Sequence, residues 1–308
     1  MSTTLADIER TTARRVGPYY YAILDRQLPS TATFDTVLVP MLRTTIDQDI
    51  VQNLFLLRRG LDYQGNTVTL DPFDRQRQVA TVDPLRGAVT VDRPWSVAPQ
   101  AGEVVEFHHL DPQNELREVV RAGLRRCQFE DRYNLGQGYF YEADLTSALP
   151  WLDDLNMVTN MQIGPYPGNG YGGGPCDIPY TVFGECGHVW VRVEGSYGSP
   201  YYGGLLVTVR RPHFSWVNGA DTIGGPTQDT DTLNVDVDYA AAAAHIEAWH
   251  MLPAKLQAAA AGNTQATRDQ AAQEFTRQSF VHRLPSHRKV GFSSFFGLGG
   301  GRSVVINA

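Results

Sequence analysis

The chain has 308 residues, 26 basic against 33 acidic, and its net charge of -7 excludes a general binder of nucleic-acid phosphates. A chain of this length can bury a sizeable core in two domains, and its 29 glycines and 18 prolines predict many turns and irregular connections. Cys127, Cys176 and Cys186 are too few and too scattered for a disulfide framework, and no apolar run of about 18 residues offers a membrane span. The N-terminal segment MSTTLADIERTTARR lacks an apolar signal core, so synthesis in the cytoplasm is expected. Only Lys255 and Lys289 are lysines, a bias that base composition of the gene explains as readily as a need for guanidinium.

Residues 4–16 read as a helix with Thr4 as cap and Leu5, Ile8, Thr12 and Val16 on one face, broken by Gly17 and Pro18. Tyr19, Tyr20, Ile23 and Leu24 are expected to form a second short helical turn before Pro29. From 34 to 107 the pattern changes to short strands, FDTVLVP, NLFLLRRG, RQVATVD, AVTVD and VVEFHHL, separated by Gly and Asp-Pro turn signals. This predicts a small antiparallel β-domain.

Asp111-Pro112 then opens a helix, with Asp111 as N-cap and Pro112 at its first position. Leu116, Val119, Val120, Leu124 and Cys127 stripe one face, and Arg117, Arg121, Arg125 and Arg126 read as a solvated one. Residues 136–228 look β-rich, with strands HVWVRVEG and LLVTVRRP and a Gly/Pro/Tyr-rich run at 164–175. The alanine run of DYAAAAAHIEAWHML is the strongest helical signal in the chain. Pro253 ends or kinks that helix, and an Ala/Gln-rich helix follows to about Phe280, interrupted at Gly262-Asn263.

The expected fold class is α+β, a helical core with two β-rich insertions and an extended C-terminal arm. Its segments are a helical N-terminus over 1–30, the β-domain over 31–110 and a core helix over 111–135. A β-rich insertion with long loops over 136–236, C-terminal core helices over 237–281 and a basic aromatic arm over 282–308 complete the chain.

The constellations that carry chemistry fail their spacing or context tests. His108 and His109, beside Asp111, point to opposite faces of a strand and do not converge on a metal. Cys176, Cys186 and His188 lack the close ligand pairs of structural zinc sites. Gly168, Gly170 and Gly173 resemble a dinucleotide fingerprint, but prolines flank them where a strand and a helix are required. Asp153 and Asp154 beside Trp151 could furnish the carboxylates and stacking platform of a sugar site, although adjacent acids are more often loop caps. No G-x-S-x-G elbow, Walker loop or H-E-x-x-H occurs, so no catalytic residue, cofactor or metal is expected.

Two segments carry a family resemblance. The block from FDTVLVP through RQVATVDPLRGAVTVDRPWSVAPQAGEVVEFHHLDPQNELREVVRAGLRRC, and the later LLVTVRRP with DTDTLNVDVDYAAAAAHIEAWHML, cover about half of the chain. Together they resemble the head-to-tail adaptor, or head completion, proteins of tailed double-stranded DNA bacteriophages. The resemblance implies a structural virion protein of the neck, assembled as a dodecameric ring below the portal. Its implied partners are the portal protein, neighbouring copies and a tail-side neck or tail-terminator protein, with double-stranded DNA passing through and no membrane involved.

Carried onto this sequence, the resemblance makes Pro112–Cys127 and Tyr239–Leu252 the helical core; both carry an apolar stripe and small alanines permit close approach, so the two are expected to pack with Leu116, Val120, Leu124, Ile246 and Trp249 central. It makes His282–Ala308 a gripping extension. That arm has only basic charges, so Arg283, Arg288 and Lys289 suit an acidic neighbour, Phe292, Phe295 and Phe296 suit apolar pockets, and Val304, Val305 and Ile306 suit an exposed sheet edge. The β-rich regions leave a second expectation, a carbohydrate-binding or receptor-binding tail or baseplate protein.

Overall fold

The computed structural model describes residues 3–28, 34–43, 53–71, 74–135, 142–163, 176–194, 205–260 and 263–282. The fold is α+β, and the chain divides into two compact units: 4–123 with 237–275, and 1–3 with 124–236 and 276–308.

The first unit opens with helix α1, Leu5–Val16, started by a capping box in which the Thr4 hydroxyl accepts from the Asp7 amide and the Asp7 carboxylate accepts from the Thr4 amide. After Pro18 the chain is extended. Tyr19–Ile23 is strand β1, which corrects the expected helical turn. The run Tyr19 to Leu24 is apolar or aromatic at every position and so fits either period, and pairing along a neighbouring strand decides for the strand: Ala22 and Leu24 turn into the core, while Tyr21 and Ile23 face out.

Strands β2 (Thr36–Leu38), β3 (Phe55–Asp62), β4 (Gln76–Asp83), β5 (Ala88–Val91) and β6 (Glu103–His108) follow, and all pairings are antiparallel in the order β1-β6-β3-β4-β5-β2. The sheet closes on itself. Beyond β1, the Asp25 amide donates to the Leu38 carbonyl at 2.9 Å, Leu38 to Arg26 at 2.8 Å and Leu28 to Thr36 at 3.1 Å, so β2 pairs back onto the chain leaving β1. Closure removes the open edges of a six-stranded sheet and encloses a core of Leu24, Val37, Leu56, Val79, Val89, Val105 and Phe107.

A π-helical turn, Pro112–Leu116, capped by the Asp111 carboxylate, leads into helix α2, Arg117–Arg126. Leu116, Val119, Val120, Leu124 and Cys127 are all completely buried, as their spacing predicts. The arginines opposite are not uniformly solvated: Arg117 binds the buried carboxylate of Glu9, Arg121 pairs with Glu118 at 3.1 Å and Arg125 lies over the Phe214 ring at 4.3 Å.

In the second unit, strands β7 (Gln128–Asn134), β8 (Glu142–Asp144), β9 (Val158–Ile163), β10 (Cys176–Asp177), β11 (Tyr180–Glu185), β12 (His188–Val193) and β13 (Leu205–Pro212) make two antiparallel sheets, ordered β10-β9-β13-β7 and β11-β12-β8. One core joins them. Val189, Val191 and Val193 from β12 pack with Val207 and Val209 from β13 and Met161 from β9, and the short helix α3, Leu145–Ala148, adds Leu145.

Helix α4, Val237–Met251, belongs to the first unit and runs alongside α1. Its alanines, Ala240 to Ala244, are buried, as are Ala248 and Trp249, whereas Ile246 is half-buried. Small side chains permit close approach. An ideal Cβ on Gly123 of α2 would stand 2.5 Å from the Ala244 nitrogen and 2.7 Å from its Cα. Helices α5 (Pro253–Ala259) and α6 (Thr264–His282) follow, and Phe275 of α6 stacks on Tyr239 at 5.9 Å. His282, expected to open the arm, is still helical, and the rest of that segment lies outside the described residues. No helix of the described residues is long and apolar enough to cross a membrane.

The contact at Gly123 generates a prediction opposite to helix propensity. Alanine normally favours a helix over glycine by about 1 kcal/mol, but here the added methyl meets the backbone of another helix. Gly123→Ala is expected to destabilise the protein by about 1–3 kcal/mol, the usual cost of overpacking. Gly224→Ala, with nothing within 4 Å of the new Cβ, is the control and is expected to leave the thermal midpoint nearly unchanged.

Candidate functional site

Charge is buried in the first unit on strands β3 and β6. Alternation turns Leu56 and Arg58 of β3, and Glu103, Val105 and Phe107 of β6, into the barrel, and turns Arg59, Glu106 and His108 to the opposite face. On that opposite face the Arg59 guanidinium joins two carboxylates: it donates to Glu9 of α1 at 2.9 Å and to Glu106 at 3.1 and 3.2 Å. Arg117 donates to the other Glu9 oxygen at 2.8 Å, and Arg10 to the other Glu106 oxygen at 2.7 Å. The side chains of Glu9 and Glu106 are completely buried, and Arg59 is 3% exposed.

His108 completes the cluster, with Nε2 at 3.0 Å from Glu106 and the edge of its ring against Tyr19 at 5.2 Å. Burial pushes the Glu106 carboxyl up, but the His108 hydrogen bond and the Arg59 charge outweigh it and hold the group well below the usual carboxylate range. Burial lowers His108 and raises the Tyr19 phenol to about 12, with the Glu106 charge adding to the latter. His108 Nε2 donates to the Glu106 carboxylate, and its Nδ1 is buried without a hydrogen-bond partner.

Inside the barrel, Arg58 and Glu103 form a two-pronged pair, 2.6 and 2.9 Å, and Arg58 also donates to the Val97 carbonyl at 2.8 Å. Trp95 lies between the guanidinium groups of Arg58 and Arg77, at 5.1 and 4.6 Å. The second unit repeats this chemistry at Arg211. Its guanidinium lies between Trp151 at 4.8 Å and Trp216 at 4.6 Å and donates to the Ser215 hydroxyl and carbonyl, to the Tyr133 hydroxyl at 2.6 Å and to Asp221. Burial, then the neighbouring Asp131, pushes the Tyr133 phenol up.

An Asp-His-Ser grouping in the second unit has the wrong connectivity for nucleophilic catalysis. His188 Nδ1 lies 2.8 Å from Asp144, but the Ser147 hydroxyl donates to that same carboxylate at 2.5 Å instead of to the imidazole. A serine nucleophile needs the histidine as its base. Asp144 serves instead as the cap of α3, accepting from the Ser147 amide at 3.2 Å.

The structure separates the other residues singled out by sequence. His109 reaches the Lys255 carbonyl at 3.2 Å, away from the Glu106 side of His108. Cys127 is buried and Cys186 exposed. Asp154 caps the turn at Leu155–Met157, and Trp151 is buried against Arg211, so neither forms a sugar-cleaving groove with Asp153. Among the described residues no three His, Cys, Asp or Glu side chains group to hold a metal. Gly168, Gly170 and Gly173 lie outside the described residues, as do Arg283, Arg288, Lys289, Phe292, Phe295, Phe296, Val304, Val305 and Ile306.

Sequence reasoning passed over the Arg59 and Arg211 clusters. The signal was present for the first: two arginines in an otherwise apolar strand, LFLLRRG, and two glutamates in another, EVVEF, are too many charges for ordinary core strands. Family models, curated proteins and solved structures yield no match to this chain.

Two predictions follow from these charges. Arg59→Ala removes the guanidinium that Glu9 and Glu106 share, leaving Glu9 with Arg117 and Glu106 with Arg10 and His108, and is expected to cost about 3–5 kcal/mol, as removal of one partner from a buried ionic network does. Arg86→Ala, whose side chain is 76% exposed, is expected to change the urea midpoint little.

The second concerns pH. Burial, with the Arg15 charge second, lowers His245 of α4 from 6.5 to about 4. The unfolded chain takes up this proton first, so stability is full above 6.5 and declines as pH falls towards about 4; the lowered His108 and Glu106 act in the same direction. The urea midpoint is expected to be lower at about pH 5 than at about pH 7.5. His245→Gln is expected to shrink that difference, and an unchanged difference would count against the assignment.

Proposed function

We propose that the chain is a structural protein of a tailed-phage particle, one copy in a ring that connects the portal of the head to the tail. The observation that carries this reading is the meeting of α2 and α4 at Gly123 and Ala244. These helices lie in the two segments that the family resemblance assigns to the helical core of a connector subunit, and the residues at which they meet, more than 100 positions apart, fall in the same compact unit. The net charge of -7 supports the same reading, because a conduit must let DNA pass without retaining it, and acidic protein repels the phosphate backbone.

On this reading the partners are the portal, neighbouring copies and a tail-side neck protein, and the site of action is the virion. The basic, aromatic segment after His282 is the part that engages a neighbour, through charge and phenylalanine anchors. Carbohydrate or receptor binding is the second reading, favoured by one sheet face of the second unit.

Native mass measurement of the full chain tests the proposal. A closed oligomer is expected, and a monomer at every concentration that also fails to enter particles would overturn it. Deleting residues 286–308 is expected to leave a subunit with unchanged thermal midpoint that no longer attaches to the portal or to its neighbour. Complete particles at normal yield from the truncated chain would remove the arm from the account.

A further inference from the structure

The outer face of the β11-β12-β8 sheet carries residues that neither the core nor the ion clusters use. Val189, Val191 and Val193 of the central strand β12 point into the core, so His188, Trp190 and Arg192 alternate onto the opposite face. Directly paired residues of antiparallel strands share a face. Phe183 of β11 pairs with Trp190 from one side and Asp144 of β8 from the other, while Glu142 pairs with Arg192 and Glu185 with His188. The half-buried Trp190 therefore lies in the middle of this face with an aromatic neighbour and a polar rim.

The rim is held in place. Arg192 Nε donates to Glu142 at 2.7 Å while its guanidinium covers Phe183 at 5.1 Å. His188 is tied through Nδ1 to Asp144 at 2.8 Å, and Asp144 is itself fixed by Ser147. These charges are spent pairwise, and the exposed Glu185 and Glu194 make the face acidic in sum. A polyanion is repelled by such a surface. What remains among the described residues is a part-exposed indole ringed by oriented donors and acceptors, with each basic group on the face already paired to a carboxylate.

We propose that this face binds a neutral glycan, one pyranose ring stacking its C–H face on the Trp190 indole while Glu142, Arg192, Asp144 and His188 engage its hydroxyls. Core packing does not explain the tryptophan. Any polar side chain would satisfy the alternation at position 190, and an indole turned outward beside a phenylalanine is the residue type that supplies rigid contact area with one polar edge. The proposal is independent of ring formation, so it can fail while the connector reading stands, and the reverse.

The test is calorimetric titration of the full chain with three neutral oligosaccharides, chitohexaose, cellohexaose and maltohexaose, at millimolar concentration, with heparin as the polyanion. Saturable heat with at least one neutral sugar and none with heparin is expected. Trp190→Ala is expected to weaken that binding by about tenfold or more, Trp190→Tyr to retain part of it, and Arg192→Gln to weaken it with no change in thermal midpoint. Should Trp190→Ala fail to fold, the other two variants decide. Absence of heat with all three sugars, a preference for heparin, or undiminished sugar binding in folded Trp190 and Arg192 variants would overturn the proposal.

Discussion

Burial of the Arg59 guanidinium between Glu9 and Glu106 is the interaction on which the first unit depends. A closed barrel has polar backbone groups satisfied all round, but its outer wall still needs cover. Helix α1 supplies that cover, and it brings the carboxylate of Glu9 into the interior, where the side chain is completely buried. With Arg59 opposite, every oxygen of Glu9 and Glu106 has a donor. Without it, each buried carboxylate would keep one arginine, but no cation would stand between the two. Such pairs often contribute little beyond what apolar residues would, yet they strongly penalise a wrong partner, so the network holds α1 in one register on β3 and β6.

The helices beyond inherit that register. Helix α4 runs beside α1, Arg15 of α1 binds Asp238 at 2.7 Å, and the alanines of α4 let α2 approach as far as Gly123. The same economy recurs in the second unit, where Arg211 is held between Trp151 and Trp216 and bound by hydroxyl, carbonyl and carboxylate oxygens. In both units a guanidinium organises a buried site because its planar fork can serve several acceptors and stack on rings at once.

Much of this fold was legible in the sequence where local chemistry decides. Thr4 and Asp7 mark the start of α1, Asp111-Pro112 the start of the helical segment ending at Arg126, and the stripe from Leu116 to Cys127 its buried face. Tyr19 to Leu24 misled because its apolar spacing suits both periods, and only pairing with β6, remote in sequence, settles it. Barrel closure was invisible for the same reason: the bonds between residues 25–28 and 36–38 have no local signature. Of the site chemistry, the paired arginines of LFLLRRG were visible as an anomaly, but their partners Glu9 and Glu106 lie on other elements, and no spacing rule connects them. Alternation in HVWVRV did contain the outward Trp190, whose neighbours only the strand register reveals.

The connector reading joins these parts: an α+β fold, acidic in sum, whose two resemblance-bearing helices meet at Gly123 and Ala244. Its central claim concerns place, so imaging addresses it most directly. Phage particles carrying this chain with a small electron-dense tag should show density in a closed ring at the neck, between portal and tail. Tag density at the distal tail tip, or particles that contain none of the chain, would contradict the account.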